Sequence, residues 1–245
     1  LQLFAFGNET ANSLYWLGRL AENENRPTIA RAYYAKLADR YPNYYYALLA
    51  NDRLGAIGSG EKTDVAFLER VPAGNTTSVV DAVGDSDNIR LQKAKLLANA
   101  ALYDLAIKEL QTAAADPAND WANAEMIRMY EDAGKPFQAL RKAKQTVPSY
   151  FAADPNVLPK TYIEALFPRP YWDELYRSST ANGLDPYLVA SLIRQESEFN
   201  PTAIPHANAY GLMQLLPEGG KATAKQIKMH GYSLADLLEP NSKLK

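Results

Sequence analysis

The chain has 245 residues, 47% of them hydrophobic, which is enough for one large or two ordinary domains with real cores. A formal net charge of −2 gives no reason to expect nucleic acid or an anionic membrane as a partner. The chain contains no cysteine, which excludes disulfide and thiolate chemistry, and no apolar run approaches the length that spans a bilayer.

The first residues, Leu1 to Phe6, carry neither a basic region nor a cleavage site, so the signal of an exported protein would lie upstream or have been removed. From residue 9 to about 55 the pattern is helical. Leu14, Leu17, Leu20 and Ala21 form one stripe, and Ile29, Tyr33, Leu37 and Tyr41 a second, opened by Pro27 and closed by Pro42. A third runs from Tyr44 through Leu48 and Leu49 to Leu54. Small residues (Ala30, Ala32, Ala35, Ala38) alternate with the large ones, as in closely packed antiparallel helices. The phrase Tyr15-Trp16-Leu17-Gly18-Arg19, with Ala30 and the Tyr41-Pro42 stop, resembles a degenerate tetratricopeptide-type repeat.

Residues 55 to 88 are the least helical stretch, with short apolar patches (Val65 to Leu68, Val79 to Val83) that predict turns of helix between loops. Helical pairs resume over Leu91 to Leu102, Leu105 to Ala115, Trp121 to Ala133 and Phe137 to Val147, with Pro117, Gly134-Lys135-Pro136 and Pro148 as stops. Ala106 to Leu110 and Ala139 to Ala143 mark second helices about one solenoid repeat apart, and such pairs need neighbours to bury their apolar faces. Core packing is the expected role of the aromatics, with Tyr44 to Tyr46 and Trp121 as candidates for a sugar-stacking groove. Residues 149 to 170, with four prolines, read as a joint. Tyr171 to Ala181 then reads as a helix closed by Asn182-Gly183.

Asp185-Pro186 opens the next helix, Asp as cap and Pro at the first position. Leu188, Val189, Leu192 and Ile193 recur at helical spacing, and Glu196 extends their stripe, whereas Glu198 points away and reads as solvated. A carboxyl withdrawn from water on such a stripe holds its proton near neutrality, as a general acid requires. A glutamate in a last helical turn is far more often a plain surface residue, so position alone is weak support.

The stronger signal is a resemblance. Ile193-Arg-Gln-Glu-Ser-Glu-Phe-Asn-Pro201 with Ala203, then Ala209-Tyr-Gly-Leu-Met-Gln-Leu-Leu-Pro217, resemble the signature of soluble lytic murein transglycosylases, which share a goose-type-lysozyme-like fold. Phe167-Pro168-Arg169-Pro170-Tyr171 and Gly183 to Pro186 resemble the entry to that family's catalytic domain. The resemblance implies that Glu196 is the single catalytic acid/base and that Met213 and Gln214 line the glycan cleft. Pro205 stands where the family usually has Ser, Asn208 where Gly is common, and Gly219 in place of a Thr. Lys221 to His230 reads as a helix, and Leu234 to Asn241 resembles a family phrase preceding another active-site helix, inside which the chain ends at Lys245.

Most glycosidases use two carboxylates, about 5 Å apart when one is a nucleophile. No second buried acid is expected near Glu196, because Glu218 follows Pro217 in a Gly-flanked loop and reads as solvated. The resemblance therefore implies cleavage of the MurNAc–GlcNAc linkage of peptidoglycan by one glutamate, leaving a 1,6-anhydro-muramyl end. No cofactor or metal is implied, since His206 and His230 have no ligand spacing. The expected partners are peptidoglycan glycan strands, with cell-wall proteins on the helical repeats, in the periplasm or cell envelope. The expected fold is all-α: a helical superhelix of tetratricopeptide-like pairs over 1–160, then the first, incomplete part of a lysozyme-like domain over 161–245. The alternative is an inactive helical-repeat module that binds peptidoglycan or a protein.

Overall fold

A computed structural model describes residues 8–60, 63, 65–66, 68–71, 79, 81–82, 84, 86–148, 150–153, 156–203 and 208–239. Among them every regular element is helical, and one isolated bridge joins Tyr210 to Leu215. The chain divides into two compact units, residues 1–83 with 144–163 and residues 84–143 with 164–245.

In the first unit α1 (Asn8–Asn23), α2 (Pro27–Arg40) and α3 (Tyr45–Ile57) pack in sequence. Pro27 starts α2, where its missing N–H costs nothing. Leu14, Tyr34 and Leu37 are fully buried, with Tyr15 and Tyr41 beside them. Gly18 permits this closeness, since a Cβ there would lie 2.4 Å from the Tyr34 ring. Glu22 of α1 accepts both the Nε (3.0 Å) and a terminal nitrogen (2.5 Å) of Arg53 of α3. Residues 144–163 join this unit through Asn43, whose amide donates to the Ala153 carbonyl at 2.6 Å, and through Tyr44 against Phe151. Of the short elements expected between residues 65 and 83, the described part is a 3-10 turn at Leu68–Arg70.

In the second unit α4 (Ile89–Asn99) pairs with α5 (Tyr103–Ala113), and α5 with α6 (Trp121–Asp132). Asn88 caps α4, its side-chain oxygen accepting the N–H groups of Arg90 and Leu91. Leu91, Ile107, Leu110, Trp121 and Met126 form the core. Trp121 is thus a packing residue, its indole N–H bonded to Asn119. Turns after α4 and α6 both need a left-handed residue, supplied by Ala101 (φ 57°) and Gly134 (φ 66°). After α7 (Pro136–Thr146), the joint expected over 149–170 contains a helix, α8 (Lys160–Leu166). Its seven residues are too few for a clear apolar period, and flanking prolines made the segment read as linker.

Candidate active site

The site rests on α9 (Trp172–Ala181), α10 (Pro186–Ser197), the turn at 209–216 and α11 (Pro217–Gln226). Asp185 caps α10 as expected, accepting the Tyr187 N–H at 2.8 Å, with Pro186 at the first position. The buried face of α10 consists of Ala190, Ile193 and Ser197, spaced by three and four residues. It packs on Leu175 of α9, Phe199 and Leu212, with Tyr171, Trp172, Val189 and Met213 around them. Burial pushes the Tyr171 phenol above its usual pKa.

This packing corrects the expectation for the two acids. Leu188 and Leu192 are 65% and 46% exposed, so the stripe they share with Glu196 is the open face of α10, and Glu196 is exposed. Glu198 is half-buried and left-handed (φ 53°), capping the helix with its N–H on the Arg194 carbonyl. The order of burial is the reverse of the sequence expectation. The larger leucines mark one stripe, but the smaller Ala190 and Ser197 flank Ile193 on the face that meets Leu212 and Phe199. Glu196 is therefore not withdrawn from water in this structure.

The glutamine turn adjoins the end of α10. The buried Ser197 hydroxyl donates to the Leu212 carbonyl at 2.8 Å. Tyr210 and Leu215 exchange backbone hydrogen bonds of 2.9 and 3.2 Å, closing a turn in which Gly211 (φ 69°) and Gln214 (φ 50°) are left-handed. The Gln214 amide nitrogen donates to the carbonyls of Gly211 (2.8 Å) and Ala203 (3.2 Å), and the Gly211 N–H also reaches Ala203 at 3.0 Å. Gln214 thus braces its own turn with its N–H donors and keeps its side-chain oxygen for other partners. Met213 is half-buried against the core of α10. Asn208 adopts the left-handed conformation (φ 57°) expected of it and accepts the Tyr210 hydroxyl.

Glu218 is exposed, as expected of a solvated acid, but in the first turn of α11. That helix starts at Pro217, four residues before the expected Lys221, and ends before His230, which is exposed. Pro205, His206 and Asn241 lie outside the described residues. Among the described residues no group of three His, Asp or Glu is placed to hold a metal ion.

Two functional candidates escape the sequence reading. For Ser197 the available signal is its spacing, which completes the Ala190–Ile193 face. For Arg194 there is none, because its side chain acts on a carbonyl in a distant stretch, Leu166.

The comparisons follow this geometry. Residues 175–245 match the family model of the transglycosylase SLT domain. The soluble lytic murein transglycosylase of Escherichia coli K12 is 31% identical over 84 residues, covering 34% of this chain and 13% of that protein. The membrane-bound lytic murein transglycosylase C of Actinobacillus succinogenes is 40% identical over 65 residues, covering 26% of this chain and 18% of that protein. The structure of an inactive mutant of the lytic transglycosylase Slt from Pseudomonas aeruginosa superposes with a TM-score of 0.61 at 24% identity, over 96% of this chain and 34% of that one. The 70 kDa soluble lytic transglycosylase of Escherichia coli gives a TM-score of 0.59 at 19% identity, with the same coverage. The chain thus spans about a third of these solved relatives and less than a fifth of the curated ones. Residues 175–245 thus match the transglycosylase SLT domain, and 96% of the chain shares the all-helical fold of these solved lytic transglycosylases.

Proposed function

We propose that this chain is part of a peptidoglycan lytic transglycosylase of the cell envelope, with Glu196 as its single acid/base. The observation that carries the reading is the junction of the SLT blocks: Glu196 ends α10 one residue before Ser197, which bonds the turn holding Met213 and Gln214. The Pseudomonas aeruginosa neighbour is an inactive mutant in which a glutamate is replaced by glutamine. This supports a glutamate at the centre of the chemistry.

In this reading Glu196 donates its proton to the oxygen of the MurNAc–GlcNAc linkage as the C1–O bond breaks. The sugar's own N-acetyl group stabilises the cation forming at C1. The carboxylate then takes the proton of the C6 hydroxyl, whose oxygen closes onto C1 and leaves a 1,6-anhydro-muramyl end. Acid and base catalysis are thereby performed by one group, with the nucleophile supplied by the substrate. Met213 presents an apolar wall, and Gln214, its nitrogen held by its own turn, presents its carbonyl oxygen to the glycan. The division into a superhelix over 1–160 and a lysozyme-like part over 161–245 belongs to the same proposal.

The test is Glu196→Gln in this chain, incubated with isolated murein sacculi. Release of anhydro-muropeptides falls by at least about a thousandfold while binding to the sacculi persists, the scale expected when a group essential to the chemistry is removed. Digestion at the wild-type rate overturns the assignment. Mass separates hydrolysis from this route, because a hydrolysed end is heavier by one water. A second reading, a module that binds glycan or protein without cleaving it, is favoured by the exposure of Glu196. It predicts binding by wild type with no new ends.

A further inference from the structure

The end of α10 is built against its own backbone preference. Glu198 (φ 53°) and Phe199 (φ 62°) are consecutive left-handed residues, neither of them glycine. Such conformations are disfavoured for any residue with a Cβ and persist only where surrounding contacts over-determine them. On the far side of this exit Phe199 is 1% exposed in the core of α9 and α10. On the near side Glu196 is exposed and Leu192 is 46% exposed, so burial holds only the Ile193–Ser197 face of the last turn. Its other face is held by directed bonding.

We propose that Arg194 is the positioning residue for Glu196. This rests on the reading of Glu196 as the acid. The half-buried Arg194 side chain donates its Nε–H to the carbonyl of Leu166 at 2.8 Å, and its guanidinium carbon lies 5.0 Å from the centre of the Phe167 ring. Leu166 is the last residue of α8, so its carbonyl is one that no helical N–H can satisfy, at the negative end of the helix. A cation that also donates a hydrogen bond suits it. The backbone carbonyl of the same Arg194 accepts the Glu198 N–H at 3.1 Å. One residue therefore ties the last turn of α10 sideways to the Leu166–Phe167 segment and lengthwise to the strained exit. Glu196 lies between the two ties.

A planar guanidinium is required. Its Nε–H donates while its delocalised charge lies over the ring, whereas an ammonium is a point charge that cannot do both at once. Displacing a reacting group by about 1 Å costs on the order of a hundredfold in rate without weakening binding of the remote parts of the substrate. A positioning role thus predicts a loss in kcat rather than a rise in KM.

The experiment compares Arg194→Met, Arg194→Lys and Glu196→Gln in the whole chain, with soluble glycan strands as substrate. Arg194→Met lowers kcat for anhydro-end release between about 10- and 100-fold, with KM within about twofold. Guanidinium ion at a few tens of millimolar restores most of that loss, and Arg194→Lys restores little. Amide hydrogen exchange, which needs no turnover, becomes faster at Ser197, Glu198 and Phe199 in Arg194→Met, is slowed again by guanidinium, and is unchanged in α9. Wild-type kcat with wild-type exchange in Arg194→Met overturns the proposal. So does a loss that guanidinium leaves unchanged while exchange rises uniformly, the mark of plain destabilisation. Failure of the underlying reading looks different: Glu196→Gln turns over like wild type, or wild type releases no anhydro ends, and the exchange arm still decides whether Arg194 holds the turn.

Discussion

The core of α1 and α2 and the region around α10 solve the same problem with different side chains. In α1 and α2 the buried face carries large residues, with Leu14, Tyr34 and Leu37 fully buried and a glycine cleared for the Tyr34 ring, although Trp16 and Leu20 stay exposed. In α10 the larger apolar residues Leu188 and Leu192 face outward, and the helix is fixed by a small buried face and bonds to carbonyls. Directed bonds place one turn in one orientation, as the proton transfer proposed for Glu196 requires. The site is thus ordered by a few polar contacts together with a small buried face.

The contrast is most sharply broken by leucine deletion. Leu37→Ala in α2 leaves a cavity among fully buried neighbours and costs about 3 kcal/mol. Leu188→Ala or Leu192→Ala on the open face of α10 costs less than about 1 kcal/mol, because little area returns to water. Denaturant midpoints of the three variants check this. Equal losses would mean that the open face of α10 is covered in solution. Next in size is Ser197→Ala, which leaves the buried Leu212 carbonyl without its hydroxyl donor, at a cost of about 1 to 2 kcal/mol. Its effect is local: hydrogen exchange rises through residues 209–216 while α1 to α3 keep their protection.

A smaller effect compares two turns of the same kind. Ala101 and Gly134 both occupy left-handed positions after a helix, but only glycine does so without a Cβ penalty. Ala101→Gly stabilises by about 1 kcal/mol and Gly134→Ala destabilises by a similar amount. Thermal unfolding of the two variants should shift in opposite directions, and shifts of the same sign would sink the comparison.

The same contrast explains what was legible in the sequence. Helix existence, the Asp185 cap, the Pro27 start and the Gly134 stop are local signals, each caused by a residue's own backbone or side chain. Leu37 and Tyr41 of the second stripe are buried as read, whereas Trp121, a candidate for a sugar groove, turns out to be core. The rule that large apolar residues mark the buried face fails at Leu20 and Leu48, which are exposed beside the buried Ala21, Ala47 and Ala50, and again at α10: Leu188 and Leu192 outrank Ala190 in size, yet burial is decided by what stands opposite, and Leu212 and Phe199 stand opposite Ala190, Ile193 and Ser197. The pairing of Glu196 with the Gln214 turn came from the family resemblance of two blocks. Nothing in the spacing alone joins Ser197 to Leu212 or Arg194 to Leu166, because those bonds depend on how α8, α10 and the 209–216 turn fold back together. α8 was missed for a related reason, since its flanking prolines are visible and its neighbours are not.

The smallest effect expected is a shallow acid limb in stability, and it belongs to the directed-bond side of the comparison. Lys135, in the turn before α7, donates to Asp104 in the first turn of α5 at 2.7 Å, and Arg90 of α4 pairs with Glu109 of α5 at 2.6 Å. The hydrogen bond and charge of Lys135 hold the Asp104 carboxyl below its usual pKa, and those of Arg90 do the same for Glu109. A carboxyl whose pKa is lower folded than unfolded binds fewer protons in the native state. Its contribution is therefore complete above the unfolded value, near 4, and is lost as pH falls through the folded one. Both acids are at the surface, where salt screens such pairs, so the limb is small and shrinks further as ionic strength rises. Chemical denaturation of wild type and Asp104→Asn from pH 6 to pH 2.5, at low and high salt, checks it. The two should converge at the acid end. A gap that stayed constant across the range would mean that Asp104 contributes through something other than its charge.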